Sequence, residues 1–148
     1  MGNANTSCLF CKIVADKLPA RLVFEDEISL AFLDHRPVFP GHCLLIPKLH
    51  YETLADLPSD LVEGFFLNAQ LLARAVELAL EAQGTFVAMN NRVSQSVPHL
   101  HVHIVPRRRK DGLKGFFWPR SPYKSEEDAD AIQSLIRQAI KELQNRER

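Results

Sequence analysis

A chain of 148 residues, 46% of them hydrophobic, is sized for one compact domain whose core can stand without disulfide or metal staples. No apolar run approaches the roughly eighteen residues of a membrane helix, so no such span is expected. Eighteen Lys and Arg balance eighteen Asp and Glu, which leaves no overall positive field to draw the chain to nucleic acid or anionic lipid. An anionic ligand must be caught locally.

Residues 1–7 are short and polar, with neither the basic nor the apolar stretch of a signal peptide; a flexible tail on a cytoplasmic protein is expected. Met1-Gly2-Asn3-Ala4-Asn5-Thr6 fits the loose pattern for N-myristoylation, but a disordered tail is the plainer reading. Arg21 to Phe24 and Ile28 to Leu33 are β-rich runs flanking Glu25-Asp26-Glu27, which predicts a hairpin. Pro40-Gly41 marks a turn before a third strand over His42 to Ile46, stopped by Pro47. From Ser59 or Asp60, Leu61, Phe65, Leu72, Val76 and Leu80 recur at helical spacing, with Glu63 placed for a cap and Gly84 as a stop.

Thr85 to Asn90 and Val97 to Val105 read as two more strands, joined by a polar loop. Strands that mostly adjoin in sequence predict an α+β fold with a mainly antiparallel sheet of about five strands. Residues 107–124 read as an irregular loop. Residues 125–145 read as an amphipathic C-terminal helix, with Ser125 as N-cap and Ile132, Leu135, Ile136, Ala139, Ile140 and Leu143 on one face.

Chemistry concentrates in His99-Leu100-His101-Val102-His103, three of the chain's six histidines. Alternation along a strand would send the imidazoles to one face and Leu100, Val102 and Ile104 to the core. Neighbouring rings, with Cα atoms roughly 7 Å apart, could then converge on one phosphoryl group or one metal ion. Lone His35 reads as a surface residue. Cys8-x-x-Cys11, in a reducing compartment, favours metal or redox chemistry over a disulfide. Cys43 reads as a small core residue.

The run His99 to Val105 closely resembles the signature of the histidine-triad (HIT) superfamily, His-φ-His-φ-His-φ-φ with φ apolar. The likeness extends through Cys8-Leu9-Phe10-Cys11-Lys12-Ile13, Phe24-Glu25-Asp26, Ala31-Phe32-Leu33-Asp34, Pro40-Gly41-His42 and Ile46-Pro47-Lys48-Leu49-His50 to Pro106-Arg107. It looks most like the Hint branch and its bacterial relatives. The resemblance implies a HIT-like fold and a homodimer with the two sheets joined. It also implies an enzyme that hydrolyses or transfers the nucleotidyl group of an adenosine or other purine nucleotide derivative, such as a dinucleoside polyphosphate or an AMP-amine conjugate.

By the same likeness His101 is the nucleophile at the α-phosphorus, and neutral imidazole suits that role near pH 7. His103, Gln95 and Ser96 would hold phosphoryl oxygens and assist the leaving group, His42 would be a fourth active-site histidine, and Asp34 would accept the ribose hydroxyls. Asn90 and Asn91 are nucleotide ligands by resemblance, although the loop here is shorter than in relatives and lacks their glycines. Relatives that keep both cysteines complete a zinc site with two histidines, here His50 and His99, giving a closed structural Cys8/Cys11/His50/His99 set.

Arg107-Arg108-Arg109-Lys110 could meet the leaving-group side of a substrate or simply face solvent. Phe116-Phe117-Trp118-Pro119 could pack at a dimer contact, close over substrate or fill the core. Two alternatives to the phosphohistidine enzyme are a metal-dependent hydrolase, with the three histidines holding a catalytic zinc, and a nucleotide-binding regulatory protein with vestigial chemistry.

Overall fold

A computed structural model describes residues 5–113 and 120–146. The myristoylation pattern and the Phe116 to Pro119 cluster fall wholly or mostly outside them. The described chain forms two compact units, Met1–Asp111 and Gly112–Arg148.

The first unit carries five strands: β1 (Leu22–Glu25), β2 (Ser29–Leu33), β3 (Cys43–Pro47), β4 (Gly84–Ala88) and β5 (Val102–Arg107). They form one sheet in the order β1-β2-β3-β5-β4, with every pair antiparallel. Helices α1 (Leu9–Val14) and α2 (Ser59–Leu80) complete the unit, with a 3-10 turn at Leu54–Asp56. The α+β architecture expected from the sequence is present.

Strand alternation divides the sheet into two faces. On one, Ala31, Cys43, Leu45, Val102 and Ile104 pack with Phe65, Ala69, Leu72 and Val76 of α2. Those helical positions recur at intervals of four, three and four, and each fully buried large side chain contributes roughly 1.5–3 kcal/mol. On the other face Leu30, Phe32, Leu44 and Ile46 pack with Cys8, Phe10 and Cys11. His103 pairs across from Leu44, which puts it on that second face, beside α1.

Helix α2 departs from its expected ends. Pro58 is the N-cap and no side chain caps it, so Glu63 does not serve there. The helix stops at Glu81 in the left-handed conformation (φ 51°), three residues before Gly84. Glu77 O accepts from both Glu81 and Ala82 N–H, the bond pattern that ends a helix in a tight left-handed turn. The guanidinium of Arg108 donates to the open carbonyl of Leu80.

The last strand also differs. It begins at Val102, not Val97, so His99 and His101 precede it. Leu45↔Val102 is the final pair with β3, and Pro47 two residues on has no N–H to extend the ladder. The face alternation persists regardless, because Leu100, Val102 and Ile104 are all fully buried in the α2-side core.

The second unit holds α3 (Glu126–Arg146). Ser125 Oγ accepts from Asp128 N–H (3.1 Å), the cap its sequence suggested, and Glu126, Glu127 and Asp128 fill the first turn. Its apolar face, with Leu135, Ile136, Ile140 and Leu143, is exposed. Among the described residues no helix is long and apolar enough to cross a membrane.

Candidate active site

The three triad histidines part into two groups. His99 turns toward α1: its Nδ1 lies 3.4 Å from Cys8 Sγ and 3.6 Å from Cys11 Sγ, and His50 Nδ1 lies 3.3 Å from Cys11 Sγ. The four donor atoms all lie within 4.8 Å of one another. A tetrahedral ion with M–S near 2.3 Å and M–N near 2.1 Å has S···N edges of about 3.6 Å, so the set fits a four-coordinate zinc-like ion.

The surroundings support that fit. Pro47 O accepts from His99 Nε2–H (2.8 Å), which leaves the Nδ1 lone pair facing the thiols. Asn5 N–H points at Cys11 Sγ (3.4 Å) and Cys11 N–H at Cys8 Sγ (3.5 Å), the donors that buried thiolates need. Burial lowers the His99 pKa to about 4, so the ring is neutral and ligand-ready. Burial pushes the Cys11 thiol up. Asn5 to Ser7, read from the sequence as part of a flexible tail, is tied to this cluster.

His101 and His103 lie outside the cysteine cluster. His101 Nδ1–H donates to His99 O (2.7 Å), which fixes the tautomer. The lone pair therefore resides on Nε2, and no hydrogen bond to that atom occurs among the described residues. The His101 ring stands 5.0 Å from that of His103 and 5.1 Å from that of Phe10. Burial lowers the His101 pKa, a displacement opposed by its bond to His99 O.

A second tautomer chain follows from one backbone amide. Val38 N–H donates to His42 Nδ1 (3.1 Å), so neutral His42 carries its proton on Nε2. That proton is donated to His103 Nδ1 (2.9 Å), which leaves His103 with Nε2–H as an outward donor. Asp34 Oδ2 lies 3.7 Å from His42 Nε2. Burial, then the neighbouring His101 and His42, bring the His103 pKa to about 4, and burial lowers that of His42.

Asp34, His42 and His103 are close enough to share an ion. A metal on His42 Nε2 would force the proton onto Nδ1, against the Val38 N–H, so the trio is built around a proton. Nor do His99, His101 and His103 converge on a single ion, because His99 belongs to the cysteine cluster.

The loop after β4 is held as a scaffold. Asn91 Oδ1 accepts from Leu54 N–H (2.8 Å), Asn90 Nδ2 donates to Ser94 O (3.2 Å), and Gln95 spans from Arg92 N–H (2.8 Å) to Glu52 O (2.6 Å). Ser96 is exposed. Arg92 and Ser94 adopt left-handed backbone (φ 71° and 59°), the conformation glycine takes without strain.

The basic run serves the scaffold too: Arg107 forms a two-point ion pair with Asp111 (2.6 and 3.1 Å), Arg108 caps α2, and Arg109 N–H donates to Gln83 Oε1. His35 is 87% exposed. Cys43 is buried, its thiol donating to Gly41 O. Three contributors had no sequence signal as site residues: the Val38 amide, the Pro47 carbonyl and Phe10.

A model of the HIT domain matches residues 15–110. The chain belongs to the HIT family. Its HIT relatives include the Bacillus subtilis protein hit, 40% identical over 134 residues (88% of this chain, 92% of that protein). Adenylylsulfatase HINT3 of Arabidopsis thaliana is 32% identical (90% of this chain, 69% of that protein), and adenosine 5'-monophosphoramidase HNT1 of Saccharomyces cerevisiae 33% (95% and 85%).

Among solved structures, a Streptococcus mutans protein superposes with a TM-score of 0.82 at 36% identity (97% of this chain, 89% of that chain). A zinc-bound histidine triad family protein of Mycobacterium smegmatis gives 0.69 at 39% identity (94% and 96%). Nucleotide hydrolases are thus among the HIT proteins this chain resembles.

Proposed function

We propose that this HIT protein cleaves at the α-phosphate of an adenosine or other purine nucleotide derivative through a nucleotidyl-His101 intermediate. The carrying observation is the 2.7 Å bond from His101 Nδ1–H to His99 O, which commits the lone pair to Nε2. The two relatives named for activities, an adenylylsulfatase and an adenosine 5'-monophosphoramidase, share the adenylyl group and differ in what leaves it.

In the first step Nε2 bonds to phosphorus while the bond from phosphorus to the leaving group breaks, and the leaving group departs with its electron pair. His101, substituted on Nε2 and protonated on Nδ1, then carries a positive charge facing the His99 carbonyl. Water attacks phosphorus, the N–P bond breaks, its electrons return to Nε2 and a water proton passes to solvent; in transfer, an acceptor replaces water. His103 Nε2–H donates to a phosphoryl oxygen, aligned by His42. Asp34 receives the ribose hydroxyls, and the loop of Asn90, Asn91, Gln95 and Ser96 borders the phosphate.

Cys8, Cys11, His50 and His99 would hold a structural zinc, which supplies a closed crosslink that keeps His99 out of acid–base work. The edge strand β4 with exposed Val87, and exposed Leu67, Leu71 and Leu78 on α2, support a homodimer; the free Cys8 and Cys11 thiols support a cytoplasmic setting.

The test is a turnover screen of AMP linked to amine, sulfate, phosphate and polyphosphate groups, with mass spectrometry of enzyme quenched and kept alkaline. A nucleotidyl mass on the His101 peptide is expected. His101→Ala should lower kcat by several powers of ten and leave nucleotide affinity within about tenfold. Near-normal turnover in that variant, or an adduct on His99 or His103, would refute the proposal.

A further inference from the structure

His101 is anchored by one hydrogen bond, about which an imidazole can still swing. Two rings limit that swing: His103 at 5.0 Å and Phe10 at 5.1 Å, the latter nearly perpendicular at 86°. Phe10 also packs against His99 (5.8 Å, 69°) and Phe32 (5.4 Å, 67°) and is 7% exposed. In sequence it lies between Cys8 and Cys11, the two thiol members of the metal-fitting cluster.

Helix α1, which carries Phe10, has six residues and buries only Phe10 and Cys11. A helix this short does not hold itself, so the ring's place depends on its packing with Leu30, Phe32, Leu44 and Ile46 and on what ties the flanking cysteines to His50 and His99. The nucleophile's hydrogen-bond acceptor, the His99 carbonyl, belongs to the same cluster. Both restraints on the α1 side of His101 therefore adjoin these four ligands, one between the two cysteines and one on His99 itself.

Resting on the reading of His101 as nucleophile, we propose that Phe10 is a positioning residue that holds the imidazole with Nε2 toward the site, and that metal occupancy of the Cys8/Cys11/His50/His99 cluster sets Phe10 in place. The cluster then tunes catalysis by geometry without touching substrate. A displaced nucleophile slows bond formation while leaving ground-state nucleotide contacts alone.

The test compares wild type with Phe10→Leu, an aliphatic of similar size, using kinetics, zinc content and NMR of the His101 ring protons, which feel the aromatic neighbour. Phe10→Leu should lose about tenfold or more in kcat, keep KM within about threefold and retain zinc. The His101 resonances should shift, and chelating zinc from the wild-type protein should move the same resonances. Unmoved resonances in Phe10→Leu, or a raised KM with kcat intact, would overturn the positioning role, the latter by making Phe10 a nucleotide contact. Resonances unmoved by chelation alone would overturn the link to the metal. If Phe10→Leu does not fold, the chelated wild type still decides that link. A His101→Ala variant with full turnover would overturn the nucleophile reading and the proposal with it, whereas unmoved resonances overturn the proposal alone.

Discussion

A nucleophilic imidazole must be neutral, and burial of His101 favours that form. His42, His101 and His103 stand in a chain of contacts, so a proton on one disfavours a proton on the next; His103 is the most depressed of them, at about 4. The sign follows directly. His101 is lowered from 6.5, hence stays reactive at neutral pH and is lost by protonation only on the acid side. The kcat/KM profile should be flat through neutrality, with an acid limb below pH 6.5 that falls about tenfold per unit. A limb at or above 6.5 would show that burial does not govern this ring. Family resemblance, and not residue type alone, pointed to His42, Asp34 and the Cys8/Cys11/His50/His99 set; by itself Asp34 reads as a turn residue. The Val38 amide and the Pro47 carbonyl, which decide the tautomers, were illegible because every residue carries a backbone, and only the fold says which amide meets which ring.

At the level of elements, the turn that delivers His42 is built against the end of α2. Gly41 has φ 99°, where L side chains are strained, and a Cβ there would lie 2.1 Å from Leu80 Cδ1. The leucine tip can yield; the backbone cannot. Gly41→Ala should therefore cost about 1–2 kcal/mol, a fall of roughly 2–8 °C in Tm, and reduce kcat as His42 and its bond to His103 shift. Calorimetry and steady-state rates check this, and an unchanged Tm would place the strain elsewhere. The hairpin, the third strand and α2 were legible because alternation and helical spacing are strong where one face is buried. The start of β5 was not, since the histidine alternation continues through residues that have lost their ladder partner at Pro47. Helix α1 was missed because Cys8-x-x-Cys11 reads as ligands, and six residues are too few for periodicity. At Leu54–Asp56 a signal existed: the Asp56 carboxylate accepts from Thr53 N–H (3.0 Å) and from its hydroxyl (2.7 Å), the Thr-x-x-Asp pattern that opens a helical turn.

Across the whole first unit, the cysteine–histidine cluster joins segments far apart in sequence: Cys8 to His99, Cys11 to His50 and to His99. Closing such long loops restricts the unfolded chain, and an ion that binds only the assembled set adds its binding free energy to folding. Protons compete with it at the thiols. Burial raises the Cys11 thiol, so at lower pH a larger share of the binding energy goes to removing protons and affinity falls; His99, at about 4, stays neutral throughout and adds no such dependence above that value. Purified protein should carry about one zinc per chain, and Cys8→Ser with Cys11→Ser should abolish it while some turnover survives. With zinc at roughly a thousand times its dissociation constant, the holo protein should melt roughly 10 °C above the apo form at neutral pH, and that gap should narrow as pH falls toward 5. Metal analysis and paired melting curves decide the matter: zinc retained by the double variant, or a gap indifferent to pH, would mean that the thiols are not the ligands.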